Sequence, residues 1–277
     1  MSDSTPSPPP APPRMRVRPM LGPLAGVVAA ALLATLLGVG LPAWLRGEDA
    51  LGFWLYGLLL IGVLRSCRRA GVGLGTLVGP LPRSVHAWAL AALAVPLLSI
   101  SVATMPLVVS VLAWLAPDVL RGFSSAPDLL SSTSGIVQTV LLAPVVEELV
   151  FRGVMLRACA ARWGMHGGVL ASATAFAVLH FDSLGALAFG VVMALLYLRT
   201  RTLLVPMLCH ALHNALIVLA EPWMSDDGTM IDIASAREQW WIGLLGVVGA
   251  CVIFTAIVRR LRPDDGWEMP ALGGGTP

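Results

Sequence analysis

Long runs of apolar residues dominate this chain and restrict the folds that are open to it. Of its 277 residues, 57% are hydrophobic and only 12% are charged, and the mean hydropathy is +0.81. A typical soluble domain is roughly 45–50% apolar, so a soluble fold of this composition would lack polar residues for its surface. The composition therefore predicts a polytopic membrane protein.

Eight apolar runs are candidates for transmembrane helices, although several are shorter than the ~20 residues that a bilayer crossing needs. They cover about residues 20–45, 50–64, 87–116, 135–151, 167–181, 184–198, 203–220 and 240–258. The run 87–116 is long and contains Pro96 and Pro106, so we expect it to be kinked or broken. We predict an all-α fold with about eight transmembrane helices in one bundle.

The arginines give this bundle an orientation. All 18 basic residues are arginine, and with eight spans only Arg46, Arg121 and Arg237 fall in outer loops when the N-terminus is inside. Most of the acidic residues lie in those outer loops. This alternation follows the positive-inside rule, which predicts that both termini are cytoplasmic.

Three segments are predicted along the chain. Residues 1–19 are rich in Pro and Ser and form a disordered cytoplasmic tail. Residues 20–262 form the membrane domain, and residues 263–277 form a flexible C-terminal tail. The four cysteines make no CxxC pair and fall in or beside apolar runs, so we interpret each as a small buried apolar residue.

Two adjacent carboxylates and an arginine occur in or beside the fourth run, at Glu147, Glu148 and Arg152. An acidic side chain near the bilayer centre costs ~2.5–3.5 kcal/mol on insertion scales, so such a residue is a candidate functional residue. Residues four apart share a helix face, so Glu148 and Arg152 can pair while Glu147 points elsewhere. The alternative is a helix end where both acids reach headgroup water, but their apolar neighbours argue against it.

Two later runs contain further polar residues. A single histidine on an apolar helix, such as His180, is more often a hydrogen-bonded core residue than a catalyst. His210 and Asn214 share a helix face, with His213 ~60° away, and hydrogen bonds between helices would also explain them. Taken together, the three clusters predict one buried polar pocket, since the estimated heights of Glu147 and His180 in the bilayer differ by only ~3 Å.

The three clusters, in this order on successive helices, resemble the motifs of the CPBP family of intramembrane proteases. That family includes the type II CAAX prenyl proteases and the bacterial Abi and bacteriocin-processing proteins. The motifs read Glu147-Glu148-Leu-Val-Phe-Arg152, Phe176-Ala-Val-Leu-His180 and His210-Ala-Leu-His-Asn214. The resemblance covers about residues 130–220, which would be the protease core, and a myxosortase-like member is one option within the family.

The resemblance implies a role for each motif residue. Glu147 would be the general base that activates a water molecule for peptide hydrolysis. His180 would help to hold that water, and His210 and Asn214 would bind the water or stabilise the oxyanion. The supporting residues would be Glu148, Arg152 and Phe176.

The resemblance leaves the cofactor open. Glu147, His180 and His210 could supply two histidines and a glutamate to zinc with an open fourth position, as catalytic zinc prefers. Family members have also been explained by glutamate-activated water without a metal. The HExxH motif of other intramembrane metalloproteases is absent from the sequence.

The implied activity is an intramembrane endopeptidase in a bacterial inner (cell) membrane. Its partners would be the lipid bilayer and a membrane-associated protein or peptide substrate, with no nucleic acid. Two other functions stay open. A proton- or ion-coupled transporter could use the same buried Glu/His/Asn cluster, and a non-catalytic immunity or scaffold protein could keep the motifs for packing.

Overall fold

The computed structural model describes residues 48–124, 132–224, 232–262 and 266–272, and its regular structure over these residues is entirely helical. The predicted disordered tail, 1–19, and the first predicted span, 20–45, lie outside the described residues. Each of the other seven predicted runs coincides with helix. The all-α class is therefore confirmed for the described part of the chain.

The first half of the described chain contains α1 (Glu48–Ala70), α2 (Leu74–Val78), α3 (Val85–Ala89), α4 (Ala94–Leu115), α5 (Pro117–Ser124), α6 (Thr133–Val137) and α7 (Ala143–Glu148). The second half contains α8 (Leu156–Val178), α9 (Ser183–Thr200), α10 (Leu204–Met224), α11 (Ile233–Glu238) and α12 (Trp240–Leu261). A 3₁₀ turn, Leu90–Leu93, joins α3 to α4, and π-helical segments at Gln138–Leu142 and Leu149–Met155 flank α7.

Three helical stretches among the described residues are long and apolar enough to cross a membrane. They are Val85–Leu115, Ser183–Thr200 and Trp240–Leu261. The predicted count of eight spans is therefore not confirmed. Leu204–Ala220 is apolar but shorter, and the stretch around α7 carries two glutamates and an arginine within a few residues.

The long run at 87–116 is interrupted as predicted. The break is the 3₁₀ turn Leu90–Leu93, just before α4. Pro96 lies in the first turn of α4, where a missing N–H removes no bond within the helix. Pro106 lies inside α4, where its missing N–H leaves a backbone carbonyl without its usual partner.

The motif carboxylates lie on a second long helical stretch, which runs from α6 to the end of α8. Pro144 lies in the first turn of α7 and lacks an N–H, and the turn before it widens into a π segment. At Gly164 the backbone adopts φ 74° and ψ 174°, a conformation open to glycine, and the helix breaks there. The fourth and fifth predicted runs are thus separated at Gly164.

Helix α12 packs closely on α4 through small residues. A Cβ added at Gly246 would lie 1.9 Å from the carbonyl oxygen of Ala103, and one added at Gly243 would lie 2.3 Å from the backbone nitrogen of Leu107. Close backbone approach at small residues is typical of helices that associate in membranes, where packing replaces the hydrophobic effect as the driving force.

The outer face of α12 is apolar. Leu245, Val248 and Val252 are 65%, 64% and 67% exposed, which is far more apolar exposure than a water-facing helix carries. The helix also begins with Trp240 and Trp241, both exposed, as expected for aromatic residues at a membrane interface. These features support an integral membrane protein.

Residues 266–272 return to the bundle after α12. Buried Arg157 donates to the carbonyl of Pro270 at 2.7 Å and also bonds the hydroxyl of Tyr197. Trp267, Met269 and Leu272 pack against the core. This part of the predicted flexible tail is therefore held by contacts, because Arg157 needs acceptors in a place without water.

The cysteines are free but not all buried. Cys67 and Cys209 are buried, Cys159 is partly exposed and Cys251 is exposed. The prediction that every cysteine is buried is wrong for Cys251. Helix α12 packs against the bundle through one face only, and Cys251 lies outside that face.

We predict that Gly246→Ala destabilises the protein, whereas Gly249→Ala on the same helix does not. The new methyl group at position 246 would collide with backbone of α4, and overpacking of this kind costs typically ~1–3 kcal/mol. At Gly249 the added Cβ meets no atom within 4 Å. Thermal melting of both purified variants in detergent measures the difference, and equal melting temperatures would contradict the close α4–α12 contact.

Candidate active site

Glu148 and Arg152 form a buried ion pair at the centre of the bundle. The Nη1 of Arg152 donates to the Oε1 of Glu148 at 2.8 Å, and both side chains are 0% exposed. The Nη2 of Arg152 donates to the carbonyl of Gly190 on α9 at 3.1 Å. The guanidinium also lies over the ring of Phe176, 4.8 Å from its centroid. The pair therefore connects the α7–α8 stretch to α9.

Glu147 makes different contacts from its neighbour. The hydroxyl of Tyr56 on α1 donates to Glu147 Oε1 at 3.1 Å. The other oxygen, Oε2, is buried and has no hydrogen-bond partner within the described part of the chain. The Nε2 atoms of His180 and His210 each lie 3.9 Å from this oxygen. The side chains of Glu147, His180 and His210 thus meet at Glu147 Oε2, and they come from α7, the turn after α8, and α10.

The spacing at this position suits a bridging water. A distance of 3.9 Å is too long for a direct hydrogen bond, but a water about 2.8 Å from each of two such atoms would bridge them. A water placed there would also supply the partner that Glu147 Oε2 lacks. The distances are therefore compatible with a water between Glu147 Oε2 and either imidazole nitrogen.

The second ring nitrogen of each histidine fixes its tautomer. His180 Nδ1 lies 2.7 Å from the carbonyl oxygen of Phe176, and His210 Nδ1 lies 2.9 Å from Glu148 Oε1. A carbonyl and a carboxylate only accept hydrogen bonds, so we assign the hydrogen to Nδ1 in both rings. In the neutral rings both Nε2 atoms then present a lone pair to the shared position.

Aromatic rings hold the two imidazoles in place. Phe176 stacks on His180 with ring centroids 4.1 Å apart and an interplanar angle of 22°. Phe189 of α9 meets His210 edge-on at 4.8 Å. Because Phe176 also contacts Phe189 at 5.6 Å, the four rings form one packed layer. This layer restricts ring rotation and keeps bulk water from the pair behind it.

Asn214 lies one turn after His210, but its hydrogen bond leads elsewhere. Its Nδ2 donates to the carbonyl of Thr139 at 2.7 Å, within the first π segment. Asn214 lines the same cavity as His180 and His210. An amide nitrogen carries two hydrogens, so one remains for a group in the cavity.

A cavity of about 510 Å³ adjoins the second and third motifs, through Phe176, His180, His210 and Asn214. One wall is apolar and comes mainly from α4, through Leu98, Val102 and Met105. The cavity extends from the two histidines to Gln239, which is exposed between α11 and α12. It is large enough for several side chains of a bound peptide.

Sequence reasoning missed two residues of the site, Tyr56 and Phe189. Tyr56 is one of only two tyrosines in the chain, and a buried phenol usually needs a hydrogen-bond partner, so its place in an apolar run was a usable signal. Phe189 offered no signal, because an aromatic residue in an apolar run is most often ordinary core. His213, outside the predicted set, is buried against Phe189 with ring centroids 4.8 Å apart.

The suggested zinc ligands fit a metal in donor type but not in spacing. Ligands about 2.0–2.1 Å from a tetrahedral zinc lie about 3.3–3.4 Å from one another, whereas Glu147 Oε2 lies 3.9 Å from each Nε2. Among the described residues, no group of three His, Cys, Asp or Glu side chains is placed to hold a metal ion.

We predict that Arg152→Ala lowers stability by ~3–5 kcal/mol, because it leaves a buried carboxylate without its counter-charge. Arg121→Ala is the matched control. It breaks the Arg121–Asp118 pair, whose side chains are 56% and 91% exposed, and exposed pairs contribute only ~0–1 kcal/mol. Folded yield and thermal melting in detergent report both effects. Equal stability of the two variants would show that Glu148 does not depend on Arg152.

A protein-family model matches the part of the chain that holds these motifs. Residues 130–216 match the family model described as type II CAAX prenyl endopeptidase Rce1-like. The "Putative membrane peptidase YdiL" of Bacillus subtilis (strain 168) is 28% identical over 89 residues, which are 31% of this chain. The chain thus spans about a third of the length of this curated relative, 36%. No solved structure matches the chain significantly.

The family-model match runs from residue 130 to the middle of α10. That segment contains Glu147, Glu148, Arg152, Phe176, His180, His210 and Asn214. Residues 130–216 are therefore similar to the type II CAAX prenyl endopeptidases of the Rce1-like family, and the resemblance of the three motifs to the CPBP family is confirmed.

Proposed function

We propose that this protein is an intramembrane endopeptidase that cuts membrane-associated proteins with a water activated by Glu147. The observation that carries the proposal is the buried Glu147 Oε2, which lacks a hydrogen-bond partner among the described residues and faces two imidazole nitrogens at 3.9 Å. A buried acceptor without a partner costs ~1–3 kcal/mol. A fold retains such an atom most readily where a ligand or water completes it.

The proposed reaction begins with a water at the shared position. One water hydrogen points to Glu147 Oε2, and the other is donated to the Nε2 of either His180 or His210. Glu147 takes its proton as the water oxygen attacks the peptide carbonyl, and the same proton then passes to the leaving nitrogen as the C–N bond breaks. The remaining N–H of Asn214 is the proposed donor to the oxyanion.

The substrate class follows from the membrane setting. The cavity wall contributed by α4 is apolar, so it favours apolar side chains beside the cut bond over charged ones. The matched family model is described as a type II CAAX prenyl endopeptidase. For this chain we propose a membrane-associated protein or peptide and a bacterial inner membrane location, with no nucleic acid partner.

We predict that Glu147→Gln abolishes cleavage while the protein stays folded and in the membrane. Removal of a general base costs ~10²–10⁴ in rate, and glutamine keeps the shape and the Tyr56 contact. Glu238→Gln, at an exposed carboxylate, is the matched control and leaves cleavage unchanged. The measurement maps new protein termini in membranes of cells that express each form.

Termini that persist in the Glu147→Gln cells would refute the proposed chemistry. A pH-dependent flux in proteoliposomes that disappears in the same variant would favour the transporter instead. Unchanged membrane proteomes in all forms would favour the non-catalytic scaffold.

We further predict that cleavage survives removal of divalent metals. The donor atoms are spaced more widely than a zinc site requires, so the proposed water is held by hydrogen bonds. Purified protein treated with a strong chelator should keep its activity, and elemental analysis should find zinc far below one atom per chain. Loss of activity on chelation that returns with zinc would show that a metal is required and would overturn the water held by hydrogen bonds alone.

A further inference from the structure

The helices that can cross the membrane share one arginine-rich end. Arg83 precedes α3, Arg199 and Arg201 end α9, and Arg260 ends α12. All four line a single open cavity of about 1410 Å³. Among the described residues, one ion pair occurs at this end, in which Nη2 of Arg201 lies 3.3 Å from Oε2 of Glu268. We call this end of the bundle the arginine end.

The active-site cavity reaches the other end of the same helices. Asp182, which caps the start of α9, and Gln239, which precedes α12, both line it. Helix α4 also finishes there, because its Ser110 hydroxyl donates to the carbonyl of Ala236 on α11 at 2.7 Å. We call this the cavity end.

The two ends are one bilayer apart. Helix α9 has 18 residues and α12 has 22, which correspond to about 27 and 33 Å of helix. The hydrocarbon core of a bilayer is about 30 Å thick. The arginine end and the cavity end therefore lie at opposite faces of the membrane.

The two ends of the bundle differ in their content of arginine, which is the difference that the positive-inside rule relates to membrane orientation. At the cavity end, Arg121 is paired with Asp118 at 2.6 Å, and Arg237 donates to the carbonyl of Ala113 at 2.8 Å. The acidic residues Asp182 and Asp232 also lie there, at the starts of α9 and α11. Arginine is concentrated at the opposite end, which the rule assigns to the cytoplasm.

The reacting position is also closer to the cavity end. Phe189 and Gly190 of α9 contact His210 and Arg152, and they lie about 10 Å along the helix from its start at Ser183. About 15 Å of helix remains from Gly190 to the arginine end. His180, with 35% of its side chain exposed, lies just beyond the end of α8 on the same side.

We propose that the active-site cavity opens on the non-cytoplasmic face of the membrane. The inference rests on the proposed function and narrows its substrates to exported, membrane-anchored proteins that are cut just below or at the outer surface. The cytoplasmic face then holds the arginines and the docked segment 266–272.

Site-directed labelling tests this orientation without any need for activity. Cys159 and Cys251, the partly and fully exposed native cysteines, are replaced by Ala in the full-length protein. Single cysteines are then added by Gln239→Cys at the cavity mouth or by Leu81→Cys, a 72% exposed position that lines the arginine-end cavity. The probe is a membrane-impermeant maleimide, applied to spheroplasts or to inside-out vesicles.

We expect Gln239→Cys to be labelled at least tenfold more in spheroplasts than in inside-out vesicles, and Leu81→Cys to show the reverse. The parent without an added cysteine sets the background, and detergent-permeabilised membranes show that both cysteines react when accessible. Labelling of Gln239→Cys from the inside-out vesicles alone would overturn the orientation.

A second measurement separates this inference from the proposed function. Termini that depend on Glu147 should fall in exported segments next to membrane spans of their parent proteins. Glu147-dependent termini on cytoplasmic segments would overturn the outward opening but would leave the proposed protease activity supported. The absence of such termini, together with outward labelling of Gln239→Cys, would overturn the protease and leave the orientation in place.

Discussion

The buried Glu148–Arg152 pair is the interaction on which the rest of the site depends. Each charge alone would cost several kcal/mol in a place without water, so the fold must bring partners to both. Arg152 finds the carbonyl of Gly190 on α9, and Glu148 finds His210 on α10. The pair thereby links the α7–α8 stretch to α9 and α10. Its contact with His210 Nδ1 also fixes the tautomer of that ring.

A division of labour between adjacent carboxylates follows from helix geometry. Neighbours on a helix point about 100° apart, so while Glu148 is buried among charged partners, Glu147 faces Tyr56, His180 and His210. Tyr56 satisfies only one of its oxygens. Glu147 therefore keeps one oxygen, Oε2, for a ligand, whereas Oε1 of Glu148 is bonded to Arg152 and His210 and supports the structure.

The sequence predicted those parts of the site that local spacing encodes. The i,i+4 spacing anticipated the Glu148–Arg152 contact, and the three clusters anticipated which helices meet. Spacing could not anticipate that the Asn214 amide would bond the Thr139 carbonyl, because that carbonyl lies in a π segment whose bonding depends on the packed bundle. The predicted number of spans is not confirmed among the described residues, since apolar runs such as 203–220 satisfy hydropathy without reaching 18 residues of apolar helix there.

An active site about 10 Å below one membrane surface has a physical advantage over one at the bilayer centre. A peptide bond can be attacked only when its carbonyl is released from a helix, and an unpaired backbone group in hydrocarbon costs several kcal/mol. Near the surface, few substrate residues must unwind inside the apolar layer, and replacement water has a short path to Glu147. The cavity mouth at Asp182 and Gln239 provides polar side chains where an unwinding segment would first need partners.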